Sequence, residues 1–184
     1  MASIDYQAAF DFAPIGLALS RERVMLDCNQ ALCEMFGMSR DVLVGQSFAL
    51  LYPTLQEYER TGERIAPLLG QDGKKGRYAD DRMMKRASGE LFWCHVTGRA
   101  LNPKKPHEAG IWSFEDLSAL RPVTIELTAR EREVAAFMIE GLTSKQAAKQ
   151  LGISHRTVEI YRARLMRKYA AHTTAELVHK LMVG

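Results

Sequence analysis

The sequence has few cysteines and no long apolar segment, and both shortages narrow the possible classes of protein. Three cysteines in 184 residues are too few for a disulfide scaffold, and Cys28, Cys33 and Cys94 lack the spacing of a metal-ligand set. We expect reduced thiols in a cytoplasmic protein. No segment approaches the roughly 18 uninterrupted apolar residues that a membrane helix needs. The first residues lack a basic start followed by an apolar run, so neither a membrane anchor nor a secretory signal is expected.

Motifs of catalysis are also missing from the sequence. There is no nucleophile motif, no metal-spaced cluster of His and Cys, and no phosphate-binding glycine loop. The segment Gln71–Gly76 contains lysines and glycines without the P-loop pattern, and it predicts an ordinary loop. We therefore predict no catalytic residue, no metal site and no enzymatic activity.

Charge is present but unevenly distributed. Residues 122–184 hold ten Lys and Arg against six Asp and Glu, whereas residues 1–121 hold fifteen basic and sixteen acidic residues. The basic surplus of the chain therefore lies in its last third. A polyanionic partner would bind there.

Residues 127–184 divide into four predicted helices. Their N-caps and C-terminal glycines are Thr128, Gly141, Thr143, Gly152, Ser154 and Thr173. Glu131, Gln146 and Glu176 lie three residues after a threonine cap, as in a capping box. The second helix is about two turns long, and a glycine-containing turn of about three residues leads to the third. This spacing predicts a helix-turn-helix, whose second helix enters the major groove of DNA.

The third of these helices has two different faces. An apolar stripe at helical spacing, formed by Val158, Tyr161, Leu165 and Tyr169, predicts the side that packs on the other helices. The remaining sides carry five Lys and Arg against one Glu. Such an excess of positive charge is typical of a surface that binds phosphate.

The motifs of this region resemble the LuxR/FixJ (GerE-type) helix-turn-helix over about 60 residues. The resemblance is carried by the segments Leu127–Val134, Gly141–Ala148, Leu151–Ser154 and Thr157–Arg162. It implies binding to double-stranded DNA. The sequence departs from the family at Ala171, where Val is preferred, and at Thr174, where Arg is common.

Residue by residue, the resemblance places Glu159, Ile160 and Ala163 against base edges. Glu can accept a hydrogen bond from cytosine N4, and Ile or Ala can touch a thymine methyl. Phosphate contacts are expected from the remaining members of the DNA-binding set, which are Lys145, Ser154, His155, Arg156, Thr157, Arg162 and Arg167. Glu159 also has the i,i+3 spacing of an ion pair with Arg162, and that alternative stays open.

The segment from residue 4 to residue 117 has a mixed pattern. Strands are predicted at 15–19, 24–28, 77–86, 90–101 and 110–115, and helices at 30–36, 39–43 and 54–69. Ala87–Gly89 predicts a hairpin turn in which Gly89 has positive φ. The order β-β-α-α-α-β-β-β predicts an antiparallel sheet with helices on one face. The whole chain is therefore predicted to be α+β.

This element order resembles a PAS domain, together with the segments Phe12–Gly16, Asn29–Gly37, Lys85–Trp93 and Glu115–Ser118. The resemblance implies a sensor or dimerisation module with a small core cavity. The predicted organisation is a PAS domain at residues 4–117, a linker at 118–126 and an all-α, four-helix DNA-binding domain at 127–184. No receiver domain is expected.

No cofactor can be named from the sequence. The segment around Cys33 lacks the motif of flavin-binding PAS domains, and residues 54–69 lack the His that commonly ligates haem, so neither cofactor is expected. His95 is expected at the surface and Cys94 in the core. An organic small molecule in the cavity remains open, with Phe36, Tyr52, Met84, Phe92, Cys94 and Phe114 as candidate walls.

Two functions are therefore consistent with the sequence. In the first, a homodimeric transcription regulator binds DNA sequence-specifically under the control of a small molecule in the PAS domain. In the second, the PAS domain is a docking module for a partner protein and has no small-molecule ligand.

Overall fold

The fold is α+β, as the sequence predicts, with a sheet in the N-terminal domain and a helical C-terminal domain. The structure is a computed structural model and describes residues 5–69 and 77–183. The loop predicted at 71–76 lies outside the described residues, as do residues 4 and 184, which bound the two predicted domains.

Five strands form one sheet in the order β2-β1-β5-β4-β3, and every neighbouring pair is antiparallel. They are β1 (Gly16–Arg21), β2 (Val24–Cys28), β3 (Arg77–Lys85), β4 (Leu91–Ala100) and β5 (Gly110–Asp116). The predicted strands are confirmed to within two residues at each end. The β3–β4 turn contains Gly89 at φ 88°, the conformation that the sequence predicts there.

The described part of the N-terminal domain has four helices, of which the last three pack on one face of the sheet. They are α1 (Tyr6–Asp11), α2 (Gln30–Phe36), α3 (Arg40–Leu43) and α4 (Leu55–Leu69), with a 3₁₀ turn at Phe48–Leu51. The last three helices are confirmed, whereas α1 and the 3₁₀ turn were not predicted. Alternate residues of β4, Phe92, Cys94 and Val96, face these helices and are buried with Phe114 of β5.

Asn29 joins α2 to the start of the chain. Its Oδ1 accepts hydrogen bonds from the backbone N–H groups of Leu32 (3.1 Å) and Leu17 (2.8 Å), so it caps α2 as predicted. Its Nδ2 donates to the carbonyl oxygens of Phe10 (3.1 Å) and Ile15 (2.9 Å). The buried amide therefore fixes α1, β1 and α2 together.

The C-terminal domain consists of α5 (Ala129–Ile139), α6 (Ser144–Leu151), α7 (His155–Lys168) and α8 (Thr174–Val183). Capping boxes at Thr128 and Thr143 are confirmed. At the start of α8, Thr173 Oγ1 accepts from the backbone N–H of Glu176 (3.1 Å) as predicted, but the Glu176 carboxylate accepts from the backbone N–H of His172 (2.8 Å), so only half of the box is formed. The largest fully buried side chains of this core include Leu165 and Leu177.

The two domains share a core on the other face of the sheet. Met83 of β3 and Trp93 of β4 point away from α1–α4, yet both are buried in the hydrophobic cluster of the C-terminal domain. The chain also packs there from Leu117 into the linker: the backbone N–H of Leu117 donates to the carbonyl of Trp93 (2.9 Å), and the guanidinium of Arg121, in the linker, pairs with Asp81. The connection between the domains is therefore a packed interface.

A buried ion pair links α4 to α5. The Arg132 guanidinium donates from Nε to Glu57 Oε1 (2.8 Å) and from Nη2 to Glu57 Oε2 (2.7 Å). The two side chains are only 9% and 8% exposed. Beside them, Arg60 pairs with Glu133 (2.9 Å), and the guanidinium carbon of Arg64 lies 4.8 Å from the centre of the Phe137 ring. Charged contacts therefore join the long helix of the sheet domain to the first helix of the C-terminal domain.

Candidate nucleic-acid interface and core cavity

The turn between α6 and α7 fixes the orientation of α7. Gly152 ends α6 in the left-handed conformation (φ 63°), and the Ser154 hydroxyl then accepts from the backbone N–H of Thr157 (3.0 Å) to begin α7. Val158 and Leu165 point inward and are buried. The opposite side of α7 is therefore presented to solvent.

The sequence-predicted residues of α7 form this solvent-facing side. His155, Arg156, Glu159, Ile160, Ala163 and Arg167 are all exposed. Their spacing places them within one broad face of the helix, away from the buried stripe. Lys145 and Ser154 are exposed next to it, and Thr157 is half-buried. A shallow depression brings Lys145 together with His155 and Glu159.

Arg162 is placed differently from the other expected phosphate contacts. Its Nη1 donates to Ser144 Oγ and to Glu159 Oε1 (3.1 Å), and its Nη2 donates to Thr174 Oγ1 (2.8 Å). The side chain is half-buried and connects α6, α7 and α8. The contact between Arg162 and Glu159 is the i,i+3 ion pair that the sequence offers as the alternative role of Glu159.

Glu159 is held as an anion on the exposed face. A hydrogen bond from Ser144, followed by the charges of Arg162 and His155, holds the pKa of the Glu159 carboxyl below its ordinary value. His155 Nε2 lies 3.7 Å from Glu159 Oε1. The carboxylate can therefore accept a hydrogen bond at neutral pH from a partner in front of α7.

A small cavity lies inside the N-terminal domain, between α4 and the sheet. Its free volume is about 30 Å³, room for about two water molecules. Of the candidate wall residues, Tyr52, Met84 and Phe114 line it. Phe36, Phe92 and Cys94 do not: they fill the adjoining core, where the Phe36 and Phe92 rings are 5.5 Å apart. The free space lies beyond the end of α2 because Phe36 packs directly on the sheet.

Nine of the twelve residues that line the cavity were not predicted from the sequence, among them Arg23 and His107. Arg23 lies in the turn between β1 and β2, and His107 lies between β4 and β5. The sequence shows a polar turn at the first position and a single His at the second. Neither pattern indicates a side chain that points inward, because that direction depends on the path of the turns in three dimensions.

Within residues 5–69 and 77–183, no cluster of His, Cys, Asp and Glu could hold a metal ion, and no helix is long and apolar enough to cross a membrane. Cys28, Cys33 and Cys94 are free and buried. His95 is half-buried on the sheet face opposite Cys94, and its Nδ1 lies 2.6 Å from Asp81 Oδ1.

The fold and these two sites define a class of protein, a PAS domain joined to a luxR-type helix-turn-helix. Residues 14–119 match the PAS domain family, and residues 126–181 match the family described as bacterial regulatory proteins, luxR family. The chain therefore belongs to the PAS-domain family and is a DNA-binding transcription regulator of the luxR type.

Two curated relatives support this assignment over different lengths. The C4-dicarboxylate transport transcriptional regulatory protein DctR of Rhodobacter capsulatus is 33% identical over 168 residues, 88% of this chain and 81% of DctR. The sensor protein TdiS of Thauera aromatica is 30% identical over 124 residues, 67% of this chain. The chain spans only 22% of TdiS.

Solved structures agree with both parts of the fold. The PAS domain of a LuxR-family transcriptional regulator from Burkholderia thailandensis, solved in complex with ethanol, is 59% identical, with a TM-score of 0.60 over 62% of this chain and 99% of that domain. The Vibrio cholerae VqmA dimer is 19% identical, with a TM-score of 0.58 over 100% of this chain and 88% of VqmA. At that identity, VqmA shows the shared fold alone.

Proposed function

We propose that the chain is a homodimeric, cytoplasmic regulator whose affinity for specific DNA sites is controlled by a small molecule in the PAS cavity. The observation that carries the DNA-binding part is the exposed face of α7, which is held in place by its buried stripe. We assign base contacts to Glu159, Ile160 and Ala163. Phosphate contacts are assigned to Lys145, Ser154, His155, Arg156, Thr157 and Arg167.

Arg162 has a different role in this proposal. Three hydrogen bonds from its Nη1 and Nη2 are made within the domain, so it positions Glu159 and joins three helices. Glu159 then accepts from cytosine N4 in the major groove, and Ile160 contacts a neighbouring thymine methyl.

The control part of the proposal is supported by the two faces of α4. Tyr58, Gly62 and Ile65 follow one another at helical spacing and line the cavity. On the neighbouring face, Glu57 and Arg60 form ion pairs with α5. A ligand that shifts α4 must therefore also disturb the contacts that hold the DNA-binding domain. The complex of the related Burkholderia PAS domain with ethanol supports a ligand of this small size.

Replacing Glu159 by Ala should remove the preference for one base pair. The variant loses the only acidic acceptor on α7, and the expected loss of discrimination is about 1 kcal/mol, at the low end for a base contact. Selection of binding sites from a randomised DNA pool, compared for the two proteins, measures this directly. Unchanged base preference in the variant would show that Glu159 does not read the sequence.

Replacing Arg167 by Ala is the matched control. Arg167 is exposed on the same helix, and a phosphate contact carries no sequence information. This variant should bind all sequences more weakly and flatten the dependence of log K on log salt by about one unit. A change in base preference would reassign Arg167 to the base-reading set.

A docking function for the PAS domain has one observation in its favour. The side chains of Tyr6 and Phe12, in and just after α1, are 97% and 85% exposed. Exposed aromatic side chains of this size can bury apolar surface against a second chain. Light scattering of the wild-type chain and of a Tyr6→Ser, Phe12→Ser variant separates the cases. If the wild-type chain is a dimer and the variant is a monomer, these side chains mediate self-association. If both proteins are monomers, docking of a different protein is supported.

A further inference from the structure

The cavity of the N-terminal domain has an unusual charge balance. Its described lining carries the guanidinium groups of Arg23 and Arg82 and the imidazole of His107, but no Asp or Glu. The rest of the wall is aromatic or aliphatic, formed by Phe48, Tyr52, Tyr58, Ile65, Met84, Val96, Trp112 and Phe114 with Gly62. The charged side chains that line the cavity are therefore all basic, and a charged ligand would contact no carboxylate there.

The two arginines differ in how their charge is compensated. Arg82 donates from Nε to Asp80 Oδ1 (2.7 Å), so its charge is paired. Arg23 has no carboxylate within ion-pair distance in the part of the chain that the structure describes. Its Nη2 donates to the backbone carbonyl of Tyr58 (2.7 Å), and its guanidinium lies 3.6 Å from the centre of the Tyr58 ring. Most of its five N–H donors remain available for a ligand.

Arg23 is one of the two residues in the turn of the β1–β2 hairpin. Glu22 and Arg23 both have left-handed φ values, 49° and 63°, which side chains other than Gly adopt at a cost. The guanidinium lies so close to Gly62 of α4 that a Cβ there would be 2.3 Å from Arg23 Nη1. A two-residue hairpin turn adopts left-handed φ at both of its residues, so the turn sets the direction of Arg23, and Gly62 leaves the room that its guanidinium occupies.

His107 supplies a second, independent sign of a missing partner. Its Nδ1 is buried and has no hydrogen-bond partner among the described residues. The backbone N–H of Glu22 donates to the carbonyl of His107 (2.8 Å), which places His107 beside the turn that carries Arg23. Burial and the charge of Arg23 lower the pKa of His107, against the opposite effect of Glu22. A buried polar atom without a protein partner is satisfied by a water molecule or by a ligand atom in the cavity.

We propose that the cavity binds a short-chain carboxylate of two or three carbons. Its oxygens accept hydrogen bonds from Arg23 and from His107 Nδ1, and its alkyl end packs on Ile65, Met84 and Val96. This inference rests on the proposed function, in which the cavity is the ligand site. The small free volume limits the chain length, and the unpaired guanidinium selects an anion over a neutral molecule.

Calorimetry on the full chain tests the preference for an anion. Acetate and propionate are compared with ethanol and propan-1-ol, with sodium chloride keeping the ionic strength equal. The acids should bind at least about tenfold more tightly than the alcohols, because a charge-assisted hydrogen bond is stronger than a neutral one. Alcohols that bind as tightly as the acids, or acids that fail to bind, overturn the inference.

Variants identify the group responsible. Arg23→Gln should abolish the preference for the acids, whereas Arg21→Gln, an exposed change of the same kind in the same hairpin, should keep it. Gly62→Ala should abolish it as well, because the new methyl displaces the guanidinium while the helix gains a better helix-forming residue. An unchanged preference in Arg23→Gln or in Gly62→Ala contradicts the assignment.

The pKa of His107, measured by NMR of ring-labelled histidine, distinguishes a bound carboxylate from a merely structural role of the cavity residues. A bound carboxylate favours the charged imidazole, so acetate should raise the pKa of His107 and ethanol should not. An unchanged titration in saturating acetate removes His107 from the site.

DNA affinity measured with and without acetate separates this inference from the proposed function. Tight acetate binding without any change in DNA affinity supports the carboxylate site and contradicts ligand control. A change in DNA affinity produced by alcohols alone overturns the carboxylate site and leaves ligand control in place.

Discussion

Replacing Arg132 by Gln should lower the free energy of unfolding by about 3–5 kcal/mol, because it leaves Glu57 as a buried charge without its partner. The pair is a two-fold hydrogen-bonded fork between α4 and α5, with both side chains below a tenth exposed. Arg132 also donates to the carbonyl of Leu127, so the linker end is loosened as well. Urea unfolding followed by circular dichroism measures the loss.

A matched control exists on the surface of the same chain. Arg40 forms the same kind of fork with Asp27 (2.8 and 2.7 Å), but the two side chains are 43% and 28% exposed. Arg40→Gln should therefore cost at most about 1 kcal/mol. If both variants lost the same stability, burial of the interdomain pair would have no energetic importance.

The double variant Glu57→Gln, Arg132→Met tests the origin of the effect. It removes both charges and keeps similar volumes, so it should recover a large part of the stability that the single change loses. Faster proteolysis within the linker in the Arg132→Gln protein, but not in the double variant, would link the pair to domain separation. A double variant as unstable as the single one would contradict this account.

Replacing Arg162 by Met should lower the stability by about 2–3 kcal/mol, because three hydrogen bonds from one charged group are lost. The same change should weaken discrimination at the base pair that Glu159 contacts, because the Glu159 carboxylate loses the hydrogen bond from Arg162 that positions it. Thermal unfolding measures the first effect, and selection from a randomised DNA pool measures the second.

Arg164→Met is the control for this prediction. Arg164 is exposed on the same helix. Replacing it also removes one positive charge but none of those hydrogen bonds, so the change in the free energy of unfolding should stay within about 0.5 kcal/mol. One set of results for Arg162→Met would contradict this prediction. Unchanged stability, uniform loss of DNA affinity and a smaller salt dependence would return Arg162 to the phosphate contacts that the family resemblance implies.

The sequence predicts most of the secondary structure because its signals are local. Asn29, Thr128, Thr143 and Ser154 all cap helices as predicted, since a cap depends on residues two or three positions away. α1 is capped locally by Asp5, but it has only six residues and none of them is buried, so no apolar periodicity indicates it. Short elements without a buried face are invisible to periodicity.

The cavity could be anticipated only in part. Alternation along β3 and β4 predicts which side chains face the helices, but the place where space remains depends on how α2 and α4 pack. Tyr52 therefore lies at the cavity, whereas Phe92 fills the core. Trp93 would be expected on an open sheet face, yet it is buried because a second domain covers it. The inward direction of Arg23 follows from a turn whose φ values its sequence does not suggest.

The burial of Met83 and Trp93 has a consequence for any molecule that approaches that face of the sheet. The chain already occupies this area with its own helices, so an incoming partner must first separate the domains. The free energy of separation is subtracted from the affinity of such a partner. If separation costs about 4 kcal/mol, binding becomes about a thousandfold weaker. A signal that loosens α4 from α5 would remove that penalty, and the same face would then become available at much lower partner concentration.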